Sequence, residues 1–147
     1  MHDVCAPISL AVNTPTDTQR AGIDGALALW RSHGVETVRI VADGGAPGAD
    51  MIELRFERAA LPFHGLYDDE TSVVYVNSAI DDPSPLAIVI AHELGHAFGL
   101  PHVAAAERDS LMNPGNLVTP PTLGDRAAIE ALWGPCQEAT RQKVDPR

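Results

Sequence analysis

No stretch of this 147-residue chain approaches the roughly 18 consecutive apolar residues of a membrane-spanning helix; the longest, Leu86 to Ala91, has six. Basic residues are scarce, ten Lys and Arg against twenty Asp and Glu, for a formal net charge of −10. That balance disfavours nucleic acid and anionic membrane surfaces as main partners, and acidic substrates with them. It mildly favours basic substrates, although keeping a secreted protein soluble explains it more simply. No positively charged leader with a hydrophobic stretch opens the chain, so no signal peptide is expected, and the abrupt Met1-His2-Asp3 start fits the beginning of a mature domain. Gly44 to Gly48 is a glycine-rich loop but lacks the lysine and the serine or threonine of a phosphate-cradling P-loop. Only two cysteines are present, Cys5 and Cys136. At 45% hydrophobic and 20% charged, the sequence is neither disordered nor membranous. Its length suits one domain over residues 1–147 with a real core.

What is present is concentrated in one segment. His92-Glu93-Leu94-Gly95-His96-Ala97-Phe98-Gly99-Leu100-Pro101-His102 reads H-E-x-x-H-x-x-G-x-x-H. Each helical residue advances about 100°, so His92 and His96 lie one turn apart on one face and two ring nitrogens can reach one ion. Glu93 sits beside them, close enough to address a metal-bound water as general base without being a ligand. Gly99 lets the chain leave the helix in a left-handed conformation, Pro101 prevents the helix from resuming, and His102 turns back as third ligand. Three protein ligands leave a position open for water, which marks a catalytic rather than a structural zinc. The alternative is a buried helix with core histidines and a glycine cap. Against it stands Ser110-Leu111-Met112-Asn113-Pro114, where Met112 would form a methionine turn below the histidines; by itself a methionine is more often a core gap-filler.

These residues resemble the metzincin clan of zinc endopeptidases, and within it the matrixins, the matrix-metalloprotease-like catalytic domains. Asn113 stands where matrixins commonly have tyrosine. The resemblance covers about residues 7 to 134 in element order, ending at Leu132-Trp133-Gly134. It implies an α+β, zincin-like fold: a twisted mixed sheet of about five strands with three main helices. It also implies a peptide or protein substrate bound as an extended strand, and an S1′ pocket walled by Pro114, Gly115, Asn116, Leu117 and Val118.

The local patterns agree with that order. Ile8 to Val12 reads as a strand. Thr14 to Asp17 starts a helix that runs to Ser32 on Ile23, Leu27 and Trp30, with Gly34 ending it. Val35 to Ala42, Met51 to Glu57 and Ser72 to Asn77 read as strands. Ala59 to Gly65 is a candidate edge strand, since Pro62 is tolerated only at an edge or bulge; in matrixins the edge strand here is the upper rim of the cleft, to which substrate adds antiparallel. His64 is a candidate for that rim, while His2 and His33 read as surface residues. Matrixins often carry a structural zinc and calcium in this region. With only His64 available no second zinc is expected, and a solvated acidic turn at Asp68-Asp69-Glu70 is favoured over calcium there. Ser84-Pro85 supplies an N-cap and a first-turn proline for the zinc helix. Thr122 to Asp125 resembles a capping box for a last helix, with Ile129 and Leu132 inward and Gly134 closing it. Residues after Cys136 read as a solvated tail.

A matrixin-like fold would bring Cys5 near Cys136, making a disulfide the favoured pairing and an oxidising compartment, secreted or periplasmic, the expected location. Two free thiols, or Cys5 as a zinc-blocking thiolate, are the alternatives; Asp3 to Pro7 does not match the matrixin propeptide motif. The expected activity is peptide-bond hydrolysis by a zinc-bound water with Glu93 as base. The rival readings are a metallopeptidase outside the matrixins, such as another small metzincin, and a latent or non-catalytic zinc-containing protein-binding module. Nothing signals more than a monomer.

Overall fold

The computed structural model describes residues 1–42, 50–60 and 62–136. The Gly44–Gly48 loop, Leu61 and the tail expected after Cys136 lie outside the described residues. Eight elements follow one another: β1 (Ile8–Val12), α1 (Asp17–Arg31), β2 (Val38–Val41), β3 (Asp50–Glu57), β4 (Gly65–Asp68), β5 (Val73–Asn77), α2 (Pro83–Ala97) and α3 (Leu123–Trp133). The strands form one sheet in the order β2-β1-β3-β5-β4. Pairing is parallel through β1, β2, β3 and β5, and β4 alone runs antiparallel, against β5. Among the described residues β4 is therefore an edge, with one side unpaired.

Strand β1 is buried along its whole length, as expected for a central strand of an apolar-rich segment. Helix α1 starts at Thr16, whose side chain accepts from the Gln19 amide while the Gln19 side chain accepts from the Thr16 amide, a reciprocal capping box. Its Ile23, Ala26, Leu27 and Trp30 stripe is buried. The Trp30 indole N–H donates to the Ala91 carbonyl at 2.9 Å, and its ring meets Phe98 edge-on at 5.4 Å between centroids. These contacts lock α1 onto α2, so the histidine-bearing helix has a rigid back wall.

Four local expectations are corrected. The edge strand is β4, Gly65–Asp68, and Ala59, Ala60 and Pro62 to His64 are not in a strand. The cause is Asn77, fully buried, whose amide donates to the Ala59 and Phe63 carbonyls (3.0 and 2.8 Å) and whose oxygen accepts from the Ala59 and Ala79 amides. It holds this segment as a loop. The helix that carries the histidines, α2, begins earlier than expected: Asp82 is its N-cap, accepting from the Ser84 amide, and Pro83 is its first residue. Asp82-Pro83 and Ser84-Pro85 carry the same start signal, and the first of them already meets both requirements. His2 is buried rather than exposed, with Nδ1 2.6 Å from Asp50 Oδ2 and Nε2 3.1 Å from Ser72 Oγ. On α3, Ile129 is buried but Leu132 is 44% exposed; Trp133 turns in instead and donates from Nε1 to the Phe98 carbonyl at 2.8 Å.

Cys5 and Cys136 form a disulfide, with Cα atoms 5.0 Å apart. Neither thiol is free, so Cys5 does not cover the histidines. Among the described residues no helix is long and apolar enough to cross a membrane.

Candidate metal centre and cleft

Helix α2 is apolar on nearly all sides and buried, and its last two turns carry His92, Glu93 and His96. It ends in a turn that the sequence specifies closely. Gly99 has φ of +105°, its amide bonds the His96 carbonyl at 3.0 Å, and the Leu100 amide bonds the Gly95 carbonyl at 2.9 Å. This pair of bonds is a Schellman motif, which needs a residue free of the Cβ penalty at the left-handed position. Pro101 follows, and His102 is carried back toward the helix, its neighbour Val103 tied to the Met112 carbonyl at 3.0 Å.

The structure brings the three histidines together. One ligand atom from each of His92, His96 and His102 lies within 4.8 Å of the others. The ring centroids are 5.0, 5.3 and 4.6 Å apart. Two rings are oriented through Nδ1: that of His92 donates to the Leu111 carbonyl at 2.7 Å, that of His96 to the Leu100 carbonyl at 2.8 Å. Each bond fixes the tautomer and leaves Nε2 unprotonated toward the shared centre, the usual way a protein prepares imidazole for a metal. Burial pushes the pKa of His92 down to about 4, more than the Leu111 carbonyl raises it, and burial likewise lowers that of His96. Neutral rings are the form a metal requires. A three-imidazole set of this kind fits zinc with one open position.

The turn at Met112 lies beneath. Met112 is buried, and its sulfur packs against Gly95 between the two helical histidines. The segment is pinned by Asp125 from α3. Its carboxylate is almost fully buried and accepts from Ser110 Oγ (2.6 Å), the Leu111 amide (2.9 Å), the Thr122 amide (3.0 Å) and Arg108 Nη1 (3.0 Å). Burial raises the pKa of this carboxyl, but these donors together outweigh it and hold the group below the ordinary carboxylate range. The Leu111 amide thus donates to Asp125, while the Leu111 carbonyl accepts from His92. The sequence marked Asp125 as a cap only; nothing local signals its bond across 14 positions to Leu111.

Glu93 is 7% exposed, and its Oε2 lies 4.0 Å from His92 Nε2. Burial pushes its pKa up to about 7, with the Tyr67 backbone amide pulling weakly the other way. Gly65 crosses directly above: a Cβ there would fall 2.9 Å from the Tyr75 carbonyl and 3.1 Å from Glu93 Cγ. Strand β4 can therefore approach the helix only because this residue has no side chain.

Two cavities flank Glu93 along β4. One, of about 250 Å³, is lined by His64, Val89, His92, Glu93, Pro114 and Asn116 among others. The second, of about 590 Å³, is lined by Leu66, Tyr67, Asp69, His96 and Pro101 among others. Of the segment expected to wall a substrate pocket, Pro114, Gly115 and Asn116 line the first cavity. Leu117 is half-buried against the core, and Val118 is 82% exposed. Calcium at Asp68-Asp69-Glu70, the less favoured alternative there, finds no support. Asp69 accepts from the Met1 amine (2.7 Å) and the Tyr67 hydroxyl (3.1 Å), Asp68 from the Glu70 amide (3.0 Å). Among the described residues the three histidines are the only His, Cys, Asp or Glu group arranged to hold an ion.

No family model and no curated protein matches this chain. Among solved structures it is similar to archaemetzincin from Methanopyrus kandleri, at 15% sequence identity and a TM-score of 0.62. The match covers 86% of this chain and 95% of that one. At this identity the likeness speaks for the fold, an α+β fold of the metzincin type.

Proposed function

We propose that this protein is a zinc-dependent endopeptidase, matrixin-like in the order of its elements and active as a single-domain monomer. The observation that carries the reading is the convergence of His92, His96 and His102 beside one buried carboxylate, Glu93, under an unpaired strand edge. The metzincin-type fold supports it.

His92, His96 and His102 would hold the zinc, with Met112 as the floor beneath them. Bound there, zinc would supply a Lewis acid that polarises the scissile carbonyl and makes water a better nucleophile near neutral pH. Glu93 accepts the proton from the attacking water and returns it to the departing amine. Its raised pKa suits a group that must both take and release a proton near pH 7. No covalent link to the enzyme forms.

Substrate lies along the free side of β4 as an added antiparallel strand, gaining main-chain hydrogen bonds that depend little on its sequence. β4 runs from Gly65 to Asp68, so an antiparallel peptide enters over the larger cavity and leaves over the smaller. The residue following the cut then faces the smaller cavity, with Pro114, Gly115 and Asn116 as its wall and Leu117 and Val118 continuing it. The disulfide supports a secreted or periplasmic location.

The test is to incubate zinc-loaded protein, beside Glu93→Ala, with a peptide library from a denatured proteome and to read new termini by mass spectrometry. New termini made only by the unmutated protein support an endopeptidase. Equal termini from both, or none from either with zinc bound, refute it.

A further inference from the structure

The smaller cavity is lined by four side chains that cannot hydrogen-bond, Pro62, Phe63, Val89 and Pro114, by two glycines and by five polar residues. Its polar members are His92, Glu93, His102, Asn116 and His64. The first three belong to the reaction centre. Asn116 is fully committed to its own loop: its amide donates to the Leu111 and Thr119 carbonyls (3.1 and 2.7 Å), and its oxygen accepts from the Val118 and Thr119 amides (3.0 and 2.8 Å). His64 differs. Its carbonyl accepts from the Asn77 amide at 2.8 Å, and the preceding Phe63 carbonyl accepts from the Asn77 side chain at 2.8 Å. The backbone is fixed on both sides of a residue whose half-buried imidazole makes no hydrogen bond to any described residue.

We infer that His64 reads the substrate residue immediately after the cut, and that this pocket takes a carboxamide side chain, glutamine or asparagine. A neutral imidazole offers one donor and one acceptor, and a carboxamide offers the same pair in return. A carboxylate would share the cavity with Glu93 in a protein of net charge −10, and like charges repel there. A purely apolar side chain would cover the imidazole without pairing it, and sites with an unmatched polar group discriminate against such ligands. At about 250 Å³ the cavity falls below the usual range of small-molecule sites, roughly 300 to 1,000 Å³, and suits one side chain.

This inference rests on the endopeptidase reading, and its test separates the two. Peptides identical except for glutamine, glutamate or methionine after the cut, which have similar length, are given to zinc-loaded protein and to His64→Phe, which keeps a ring. Metal content is verified in each. The expected kcat/KM ratio favours glutamine about tenfold in the unmutated protein and falls toward unity in His64→Phe. Binding of the same peptides without turnover, measured by calorimetry on Glu93→Ala and on Glu93→Ala with His64→Phe, should show the same ratio and the same loss. Cleavage with a ratio unchanged by His64→Phe, or favouring charged or apolar residues, overturns the inference alone. No cleavage by the unmutated protein and no binding by Glu93→Ala overturns the endopeptidase reading and this inference with it.

Discussion

Replacing Asp125 by asparagine tests whether α3 builds the metal centre or merely covers it. The carboxylate receives two donors on each oxygen: Ser110 Oγ and Arg108 Nη1 on Oδ1, the Leu111 and Thr122 amides on Oδ2. Asparagine turns one oxygen into a donor, so whichever way it sits two donors face an NH₂ group. Hydrogen bonds to a charged acceptor contribute about 1.5 to 3 kcal/mol each, and a buried donor left unpaired costs a comparable amount. With some relief from rotation of the Ser110 hydroxyl, the expected loss is about 3 to 5 kcal/mol, a large part of the roughly 5 to 15 kcal/mol that stabilises a domain. The loss should also reach the metal. The Leu111 carbonyl orients His92, and changes in such outer partners typically weaken metal binding about 10- to 100-fold. Urea unfolding of the metal-free protein and competition for zinc with a chelator, both at a temperature where the variant is folded, measure the two effects. Glu130→Gln on the same helix is the control, since Glu130 is exposed and, among the described residues, its carboxylate pairs with Arg126 alone. Asp125→Asn within about 1 kcal/mol of the unmutated protein, or a destabilised variant with unchanged zinc affinity, refutes the reasoning.

Glu93→Gln should stabilise the metal-free protein in a pH-dependent way. A carboxyl whose folded pKa is raised from 4.5 to about 7 costs nothing below the lower value and its full penalty above the upper. Unfolding should show a gain of up to about 3 kcal/mol at pH 8 and little at pH 4; a gain equal at both pH values argues against a buried, raised Glu93. Asp125 acts in the opposite sense, its folded pKa being depressed, so its contribution is present above the ordinary carboxylate range and fades as pH falls through the folded value. Acid titration of stability should be flatter in Asp125→Asn than in the unmutated protein. Asn77→Ala should cost about 2 to 4 kcal/mol by unpairing the part-buried Ala59 and Phe63 carbonyls and the Ala59 amide; hydrogen exchange concentrated at these residues would check it, and their remaining unaffected would refute the assigned clamp. Reducing Cys5–Cys136, which closes a loop of 131 residues, should remove about 4 to 5 kcal/mol in the chain-entropy model, read as a lower midpoint in urea with added reductant.

The features legible in the sequence are those encoded over one or two turns. The histidine spacing, the glycine that ends the histidine-bearing helix, the proline after it, the helix-start signal at Thr14 to Asp17 and the capping box at Thr122 depend on near neighbours, and their geometry follows from the residues themselves. Contacts between distant segments were invisible. Asp125 reads as a cap because its partner Thr122 is three residues away, whereas its bond to Leu111 needs the whole fold. Asn77 looks like the end of a strand, and no pattern announces that its amide will hold Ala59 and Phe63 out of a strand. His2 has no apolar neighbour pattern to mark it as buried; Asp50 and Ser72 reach it only once β3 and β5 are aligned. Pro62 pointed correctly to an edge, but the edge begins at Gly65, the residue without a Cβ to strike Glu93.

The unpaired side of β4 has a consequence beyond the cleft. A strand that leaves its amides and carbonyls open to a peptide leaves them equally open to another copy of the same sheet, and such edges are where native proteins begin to aggregate. This one is only four residues long, with Asp68 at its end and Asp69 just beyond. Brevity and like charge limit how far a second sheet could zip on, yet a short peptide can still lie there. Lengthening β4 or neutralising Asp68 and Asp69 would therefore trade solubility for a longer groove, and the acidic character of the chain reads, at this position, as protection against its own edge.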